Sequence, residues 1–303
     1  MNVAKFVWFN GKYVIKTKAL VPITTHAIHY GTSIFEGIRA YWNHNNLYIF
    51  RLNDHITRFR NSGKFYSMTF KFSNMEIKDA IINLCIKNKI TESCYIRPIC
   101  FIGEHGISLH VTNKSPTHVA IFMFPMNNLF DKNGINACVS SWRKFDNSYL
   151  YTLAKMGGNY LNSILATQES KNNGYDEAIL LDNQNNVSES PGENIFLVKN
   201  NIIMTPSLSS SILDGITRDT VIKLAQNIGY EIIEKRITRS ELYLSDEVFL
   251  TGTAAELTPI IKIDNKIVGD GKKGRITKEL MSKYNKVTVG NDVKFNNWAT
   301  KVY

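Results

Sequence analysis

TLAKMGGNYLNSILA, residues 152–166, sets Lys155 among Leu153, Ala154 and Met156 and follows it at once with Gly157 and Gly158. Small neighbours leave room for a bulky flat ligand against the backbone. Apolar ones disfavour an ammonium ion, so the amine becomes a usable nucleophile that can condense with a carbonyl. The plainer alternative is that this lysine opens an amphipathic helix, and the stretch by itself does not choose between the two. The choice depends on what the rest of the chain would offer a lysine-bound carbonyl compound.

Length and composition set the frame. A chain of 303 residues with 44% hydrophobic content has a full core and makes one large or two ordinary domains. The net charge of +10 comes from 36 Lys and Arg spread among 26 acidic residues without a long basic block, so neither a nucleic acid nor a membrane surface is expected as a partner. Cys85, Cys94, Cys100 and Cys138 show no CxxC and no histidine at metal-ligand spacing, so no metal site is expected, and isolated cysteines fit a reducing compartment. Residues 1–15, MNVAKFVWFNGKYVI, read as strand, turn and strand rather than as a secretory signal, and no apolar run is long enough to span a bilayer. The expected location is cytoplasmic.

Along the chain, Asn10-Gly11 between FVWF and KYVI predicts a type I′ hairpin. HAIHYGTSIFEGIRAYW, residues 26–42, crowds His26, His29, Tyr30, Phe35, Glu36 and Arg39 around Gly31 and Gly37. It is either a turn followed by a core strand or a ligand-facing loop. Residues 46–66 pass from strand to helix, with Asn53 or Asp54 as the cap and Ile56, Phe59 and Tyr66 as apolar positions. Arg51, Arg58 and Arg60 are most simply solvated, while Arg58 has the alternative of gripping an anion through paired hydrogen bonds. MEIKDAIINLCIKNKI, residues 75–90, predicts an amphipathic helix. In the apolar strand SCYIRPICFIGEHG, residues 93–106, Tyr95 and Arg97 share a face, so Arg97 either has a buried acidic partner or serves a carboxylate ligand. HVAIFMFPM, residues 118–126, is a buried strand, and MNNLFDKNGIN, residues 126–136, is the candidate linker.

The second half opens with the strand ACVSSW and the polar loop RKFDNSYLYT, then the Lys155 segment, whose helix runs from Tyr160 to about Ser170. YDEAILLD is a buried strand, and Glu189 lies in a Ser- and Gly-rich bend before another strand. Gly215-Ile216-Thr217 opens a helix, a place where free N–H groups and a hydroxyl bind phosphate, although an ordinary Thr cap looks the same. EVFLTGTAAELTPI, residues 247–260, is a strand ending in a tight Gly252-Thr253-Ala254 turn. RITKELMSKYNKV, residues 275–287, is the last helix, and the tail NDVKFNNWATKVY has little pattern. P-loop, HExxH and GxSxG motifs are missing, which removes the usual support for P-loop nucleotide binders and common hydrolases. An amine, an acid in a bend, a phosphate cradle and an arginine for a second anion remain. Pyridoxal phosphate requires the first three: a lysine for its aldehyde, a helix start for its phosphate and a carboxylate for its pyridine nitrogen.

Six blocks carry a resemblance: YGTSIFEGIRAY from Tyr30, YIRP from Tyr95, AKMGGNYLNS from Ala154, ESPGENIF from Glu189, LDGITRD from Leu213 and GTAAELTP from Gly252. In this order and over nearly the whole chain, the sequence resembles the branched-chain amino-acid aminotransferases among the fold-type IV pyridoxal-phosphate enzymes. The resemblance implies an α/β fold with a small domain over residues 1–125, an interdomain loop over 126–136 and a larger pseudo-barrel domain over 137–303. It also implies that Lys155 forms the Schiff base, Glu189 partners the pyridine nitrogen and Tyr160 binds the ring hydroxyl. Arg58, Gly215, Ile216, Thr217 and Thr253 would hold the phosphate. Phe35, Gly37, Tyr95, Thr253 and Ala254 would face the substrate, with Arg97 on the distal carboxylate of glutamate. Tyr30, Ile107 and Leu109 would complete the pocket of a partner subunit in a homodimer, which a hexamer could extend.

The implied reaction moves the amino group of leucine, isoleucine or valine to 2-oxoglutarate in two half-reactions, giving branched 2-oxo acids, glutamate and ping-pong kinetics, with no ranking among the three amino acids. A lyase of the same fold, such as aminodeoxychorismate lyase, or a D-amino-acid aminotransferase would share Lys155 and Glu189. The YxR strand and the GTAAE turn favour the first reading over the lyase. A cofactor binder without turnover, or a basic nucleic-acid binder, would leave Tyr95 and Arg97 unexplained. Pro191 in the ESPGEN bend, and Met126 and Leu129 in the linker, depart from the family's usual pattern.

Overall fold

Runs of alternating apolar residues interrupted by turn formers, and runs with 3.6-residue spacing, give this chain both sheets and helices. The computed structural model describes residues 2–303, which form two compact units. The first holds the residues up to Asn127 with Ala154–Gly158 and Lys286–Tyr303, and the second holds Asn128–Leu153 and Asn159–Asn285. The units therefore interleave in sequence rather than meeting at one cut near 126–136. Hydrogen bonding explains the return of both segments to the first unit. The Phe35 N–H donates to the Lys155 carbonyl at 3.0 Å, Ile34 bridges Met156, and Ala299–Lys301 pairs with Asn46–Phe50.

The first unit is built on an antiparallel sheet. Its strands are β1 (Phe6–Phe9), β2 (Lys12–Ile15), β3 (Ser33–Phe35), β4 (Ile38–Asn43), β5 (Asn46–Phe50), β6 (Cys94–Ile102) and β7 (Thr117–Pro125), joined by the C-terminal strand Ala299–Lys301. The order is C-terminal strand, β5, β4, β6, β7, β1, β2, with β3 also on β6. The β1–β2 turn has φ of 48° at Asn10 and 89° at Gly11, the positive values that a type I′ turn demands. Strand β7 alternates in burial, with Phe122 and Phe124 half-buried, so it is two-faced rather than wholly buried. Helices α1 (His26–Tyr30), α2 (Leu52–Lys64) and α3 (Asn74–Lys87) accompany this sheet. Leu52, Ile56 and Phe59 of α2 and Ile77, Ile81 and Leu84 of α3 share one core with Ile38, Ile96 and Ile121 of the sheet.

The α2 start differs from expectation. Arg51, not Asn53 or Asp54, is the N-cap, at φ 51° and without a side-chain cap, and Asp54 instead accepts from its Nε at 2.5 Å. The cause is the tail: the Arg51 N–H donates to the Trp298 carbonyl and its guanidinium lies 4.8 Å from the Trp298 ring. Arg51 is thus buried, not solvated, and Arg60 likewise rests on the Phe70 ring at 4.6 Å.

The second unit is a mixed sheet of β8 (Ile135–Arg143), β9 (Glu177–Leu181), β10 (Asn194–Lys199), β11 (Ile202–Pro206), β12 (Ile232–Lys235), β13 (Glu247–Gly252), β14 (Glu256–Ile263) and β15 (Lys266–Ile267). The order is β12, β11, β10, β13, β14, β8, β9, with β15 on β14; the β11–β12, β14–β8 and β8–β9 pairs are parallel. Ile179, Leu181, Ile195, Leu197, Val248, Leu250 and Ile260 form its core. Helices α4 (Tyr160–Asn172), α5 (Ile216–Asn227) and α6 (Arg239–Leu244) belong to it, and α7 (Arg275–Thr288) begins in it. Among the described residues no helix is long and apolar enough to cross a membrane.

The start of α3 is held by a reciprocal cap: Ser73 Oγ accepts from the Glu76 N–H at 3.2 Å, and Glu76 Oε2 accepts from the Ser73 N–H at 2.7 Å. Ser73→Ala is expected to lower stability by about 1 kcal/mol, read as a lower midpoint in urea denaturation.

Candidate functional site

In the first unit the candidate side chains converge on one end of β3 and β4. Lys155 is partly buried, and its backbone is fixed from both sides, its N–H donating to Ser62 Oγ of α2 at 2.9 Å and its carbonyl accepting from Phe35. It lies outside any helix; a short 3₁₀ turn, Gly157–Asn159, leads from it into α4. Gly157 has a different reason from the one its sequence context offers: a Cβ there would fall 2.3 Å from Ser33 Oγ, so the glycine admits the neighbouring strand. The Lys155 Nζ stands 5.2 Å from the Phe35 ring centre. Burial and the nearby Arg58 hold its amine below the ordinary lysine range, Glu36 and Tyr95 oppose this, and Arg97 adds to it.

Arg58 is not solvated. Its Nε donates to Glu36 Oε1 at 2.6 Å and its Nη2 to Glu36 Oε2 at 2.8 Å. His55 Nδ1, one turn earlier on α2, lies 2.8 Å from the same Oε2. An ionised carboxylate only accepts, so Nδ1 carries the proton in that bond. Burial by itself would raise the Glu36 carboxyl, but the charge and hydrogen bonds of Arg58, followed by those of His55, hold it well below the usual carboxylate range. Burial depresses His55 despite Glu36.

Tyr95 and Arg97 share a face of β6, as the period of two requires, and Arg97 Nη2 donates to Tyr95 Oη at 3.2 Å. The Arg97 guanidinium lies 4.5 Å from the Phe35 ring centre and 5.3 Å from that of Tyr95. Among the described residues no carboxylate pairs with it, and its Nε has no hydrogen-bond partner. Gly37 lets this group form, since a Cβ there would sit 1.8 Å from Tyr95 Oη. Tyr30, Ile107 and Leu109 are not gathered here; they stand exposed at 42%, 88% and 75%.

In the second unit Glu189 is buried and saturated on most of its acceptor positions. Lys144 Nζ lies 2.7 Å from Oε1, and Oε2 accepts from Asn194 Nδ2 and from the Leu213 N–H, each at 3.0 Å. Asn194 also donates to the Leu213 carbonyl at 2.9 Å, which ties the acid to the loop entering α5. That helix begins with Gly215 as N-cap and no side-chain cap, so the Thr217 cap considered from sequence is not made, and Ile216 and Thr217 are buried in its first turn. Pro191 is accommodated, its carbonyl accepting from Ser163 Oγ of α4 at 2.7 Å. Tyr160 opens α4.

Thr253 and Ala254 occupy the turn between β13 and β14, which Gly252 and Glu256 close as a pair. Glu256 has φ 56°, an uncommon value for a side chain of this kind. Lys132, from the candidate linker, holds it there, pairing with its carboxylate at 2.7 Å and donating to the Ala255 carbonyl at 3.0 Å.

His55, Lys144, Asn194 and Lys132 take part in these arrangements without having been singled out from sequence, and Glu36 was named only as one of the side chains crowded around Gly31 and Gly37. Only Glu36 carried a signal, as an acid amid apolar residues and glycines with arginine nearby. Lys144 lay in a polar loop with nothing local to mark it.

Comparison with known proteins bears on the family and the fold. Residues 33–263 match the family model described as amino-transferase class IV. The branched-chain-amino-acid aminotransferase of Salmonella typhimurium is 42% identical over 285 residues, 93% of this chain and 92% of that one. The crystal structure of a branched-chain aminotransferase from Thermoproteus uzoniensis with norvaline superposes with a TM-score of 0.96 at 41% identity, covering 99% of this chain and 100% of the other. That of the branched-chain amino acid aminotransferase from Thermobaculum terrenum, in its PLP-form, gives a TM-score of 0.95 at 36% identity over 100% of each chain.

A depressed lysine loses its proton at lower pH than an exposed one, so the neutral and reactive fraction of Lys155 at pH 7 to 8 exceeds that of surface lysines. Amine-directed labelling followed by peptide mapping is expected to modify Lys155 with a pH midpoint below that of the exposed lysines.

Proposed function

This chain belongs to the amino-transferase class IV family, and we propose that it transfers the amino group of leucine, isoleucine or valine to 2-oxoglutarate, with pyridoxal 5'-phosphate as its cofactor. The donor set suits that cofactor. It comprises a partly buried amine disfavoured as an ammonium ion, an arginine, an uncapped helix start, and a carboxylate that three donors leave with one acceptor position of about four. When bound, pyridoxal phosphate supplies an aldehyde that condenses with amines and a ring that accepts an electron pair.

The residues then divide the work. Lys155 is the amine that would hold the aldehyde; once the amino acid's own amine takes its place, the freed Nζ would take the α-proton and deliver it to the carbon that came from the aldehyde. Glu189, held in place by Lys144, Asn194 and the Leu213 N–H, would partner the pyridine nitrogen. Tyr160 binds the ring hydroxyl. Arg58, Gly215, Ile216, Thr217 and Thr253 receive the phosphate. Phe35, Gly37, Tyr95, Thr253 and Ala254 face the substrate.

The observation that carries the substrate reading is Arg97. Its guanidinium lies against the rings of Phe35 and Tyr95 and, among the described residues, no carboxylate answers it, so one wall serves an aliphatic side chain and, at Arg97, the distal carboxylate of glutamate. The strong exposure of Ile107 and Leu109, with Tyr30 beside His26 and His29, supports a homodimer in which these residues finish the partner's pocket. Four buried cysteines without disulfides suit a reducing, cytoplasmic setting.

Arg97→Ala is expected to lower kcat/KM for glutamate and 2-oxoglutarate by roughly tenfold to a hundredfold, the worth of a charged hydrogen bond, and to change that for leucine by less than about threefold. Equal losses would contradict the assignment. Lys155→Ala is expected to abolish turnover, and borohydride reduction followed by mass spectrometry should then find no cofactor fixed to the chain. A molecular mass in solution corresponding to one chain would overturn the shared pocket.

A further inference from the structure

The side chain of Glu36 has no solvent exposure, and none of the roles above uses it. We infer that Glu36, braced by His55, is a positioning residue that holds the Arg58 guanidinium where it meets the cofactor's phosphate. This inference rests on the proposed role of Arg58.

Stability gives little reason for such a group. Removing two charges from water costs about as much as their attraction returns, so a buried ion pair adds little to the fold that well-packed apolar side chains would not. What the pair supplies is direction. A guanidinium bound through Nε and Nη2 to both oxygens of one carboxylate has its plane and its remaining edge fixed by that fork. The carboxylate itself cannot swing: His55 and the Gly37 N–H, at 2.8 Å and 3.3 Å, both hold Oε2. His55 and Arg58 lie one turn apart on α2, and Glu36 lies between β3 and β4, so the cation is fixed between two segments far apart in sequence.

The ion pair also sets the local charge. Arg58 and Arg97 both act on Lys155, and Glu36 is the anion that opposes them. An arginine without its carboxylate would turn toward whatever anion it could reach and would present no fixed fork to a phosphate.

The test uses the full chain, freed of cofactor and titrated separately with pyridoxal phosphate and with pyridoxal, which lacks the phosphate. The quantity read is the ratio of the two dissociation constants, which reports the phosphate contribution alone. In Glu36→Gln this ratio is expected to shrink by roughly tenfold to a hundredfold, the range of one charge-assisted hydrogen bond, while pyridoxal affinity stays within about threefold. Glu36→Asp keeps the charge but draws it back by one methylene, and an intermediate ratio is expected. In an Arg58→Met background Glu36→Gln should change the ratio no further, because the two residues act as one unit.

A wild-type ratio in both Glu36→Gln and Glu36→Asp overturns the inference and leaves the reading of Arg58 intact. Equal loss of affinity for both compounds, with a lowered melting temperature, also overturns it, assigning Glu36 a purely structural part. If Arg58→Met itself preserves the wild-type ratio, the proposed role of Arg58 fails and the inference falls with it. Should Glu36→Gln not fold, Glu36→Asp and the double variant, which leaves no charge unpaired, still decide the matter.

Discussion

An ion removed from water must find its opposite within hydrogen-bond reach or give up its charge, and both clusters of this protein are arranged around that constraint. Glu36 meets it with Arg58 and His55, and Glu189 meets it with Lys144, Asn194 and a backbone N–H. Each carboxylate is fixed by groups from several parts of the chain. A fixed charge needs no rearrangement when a ligand's charge arrives, which is the sense in which such sites are prepared beforehand. Arg97 is the exception, a cation set among aromatic rings with which, among the described residues, no carboxylate pairs.

The scaffold follows the same logic at lower resolution. The apolar faces of α2 and α3 and the inner face of the first sheet make one core. Local fit places individual side chains. Gly37 makes room for the Tyr95 hydroxyl, and Glu256 holds a left-handed conformation under the grip of Lys132. Backbone strain of this kind amounts to about 1–3 kcal/mol and persists only where the surroundings enforce it.

What could be read from the sequence was what depends on neighbours in sequence. The Asn10-Gly11 hairpin, the shared face of Tyr95 and Arg97, the helix opening at Gly215 and the strand into the Thr253 turn are set by periodicity and by local φ preference, and each stands where the residues placed it. Partnerships across the chain were not legible. Arg58 and Glu36 lie 22 positions apart, and no local pattern tells a solvated arginine from one whose carboxylate is on another strand. The same blindness hid Lys144 and misplaced Arg51, whose surroundings come from Trp298. Gly157 shows the converse case: a glycine with an obvious local reason answers instead to the Ser33 side chain packed against it.

The interleaving of the units bears on how the polypeptide is made. A ribosome delivers β5 long before Ala299–Lys301, so the edge of the first sheet at Asn46–Phe50 stays open until those three residues emerge. Until then its backbone N–H and C=O groups can pair with any extended strand nearby, including one from another nascent chain. The first unit is thus begun before the second and completed after it, and a ribosome that stalls short of Ala299 would hold a chain already carrying Lys155 but with an unclosed sheet margin.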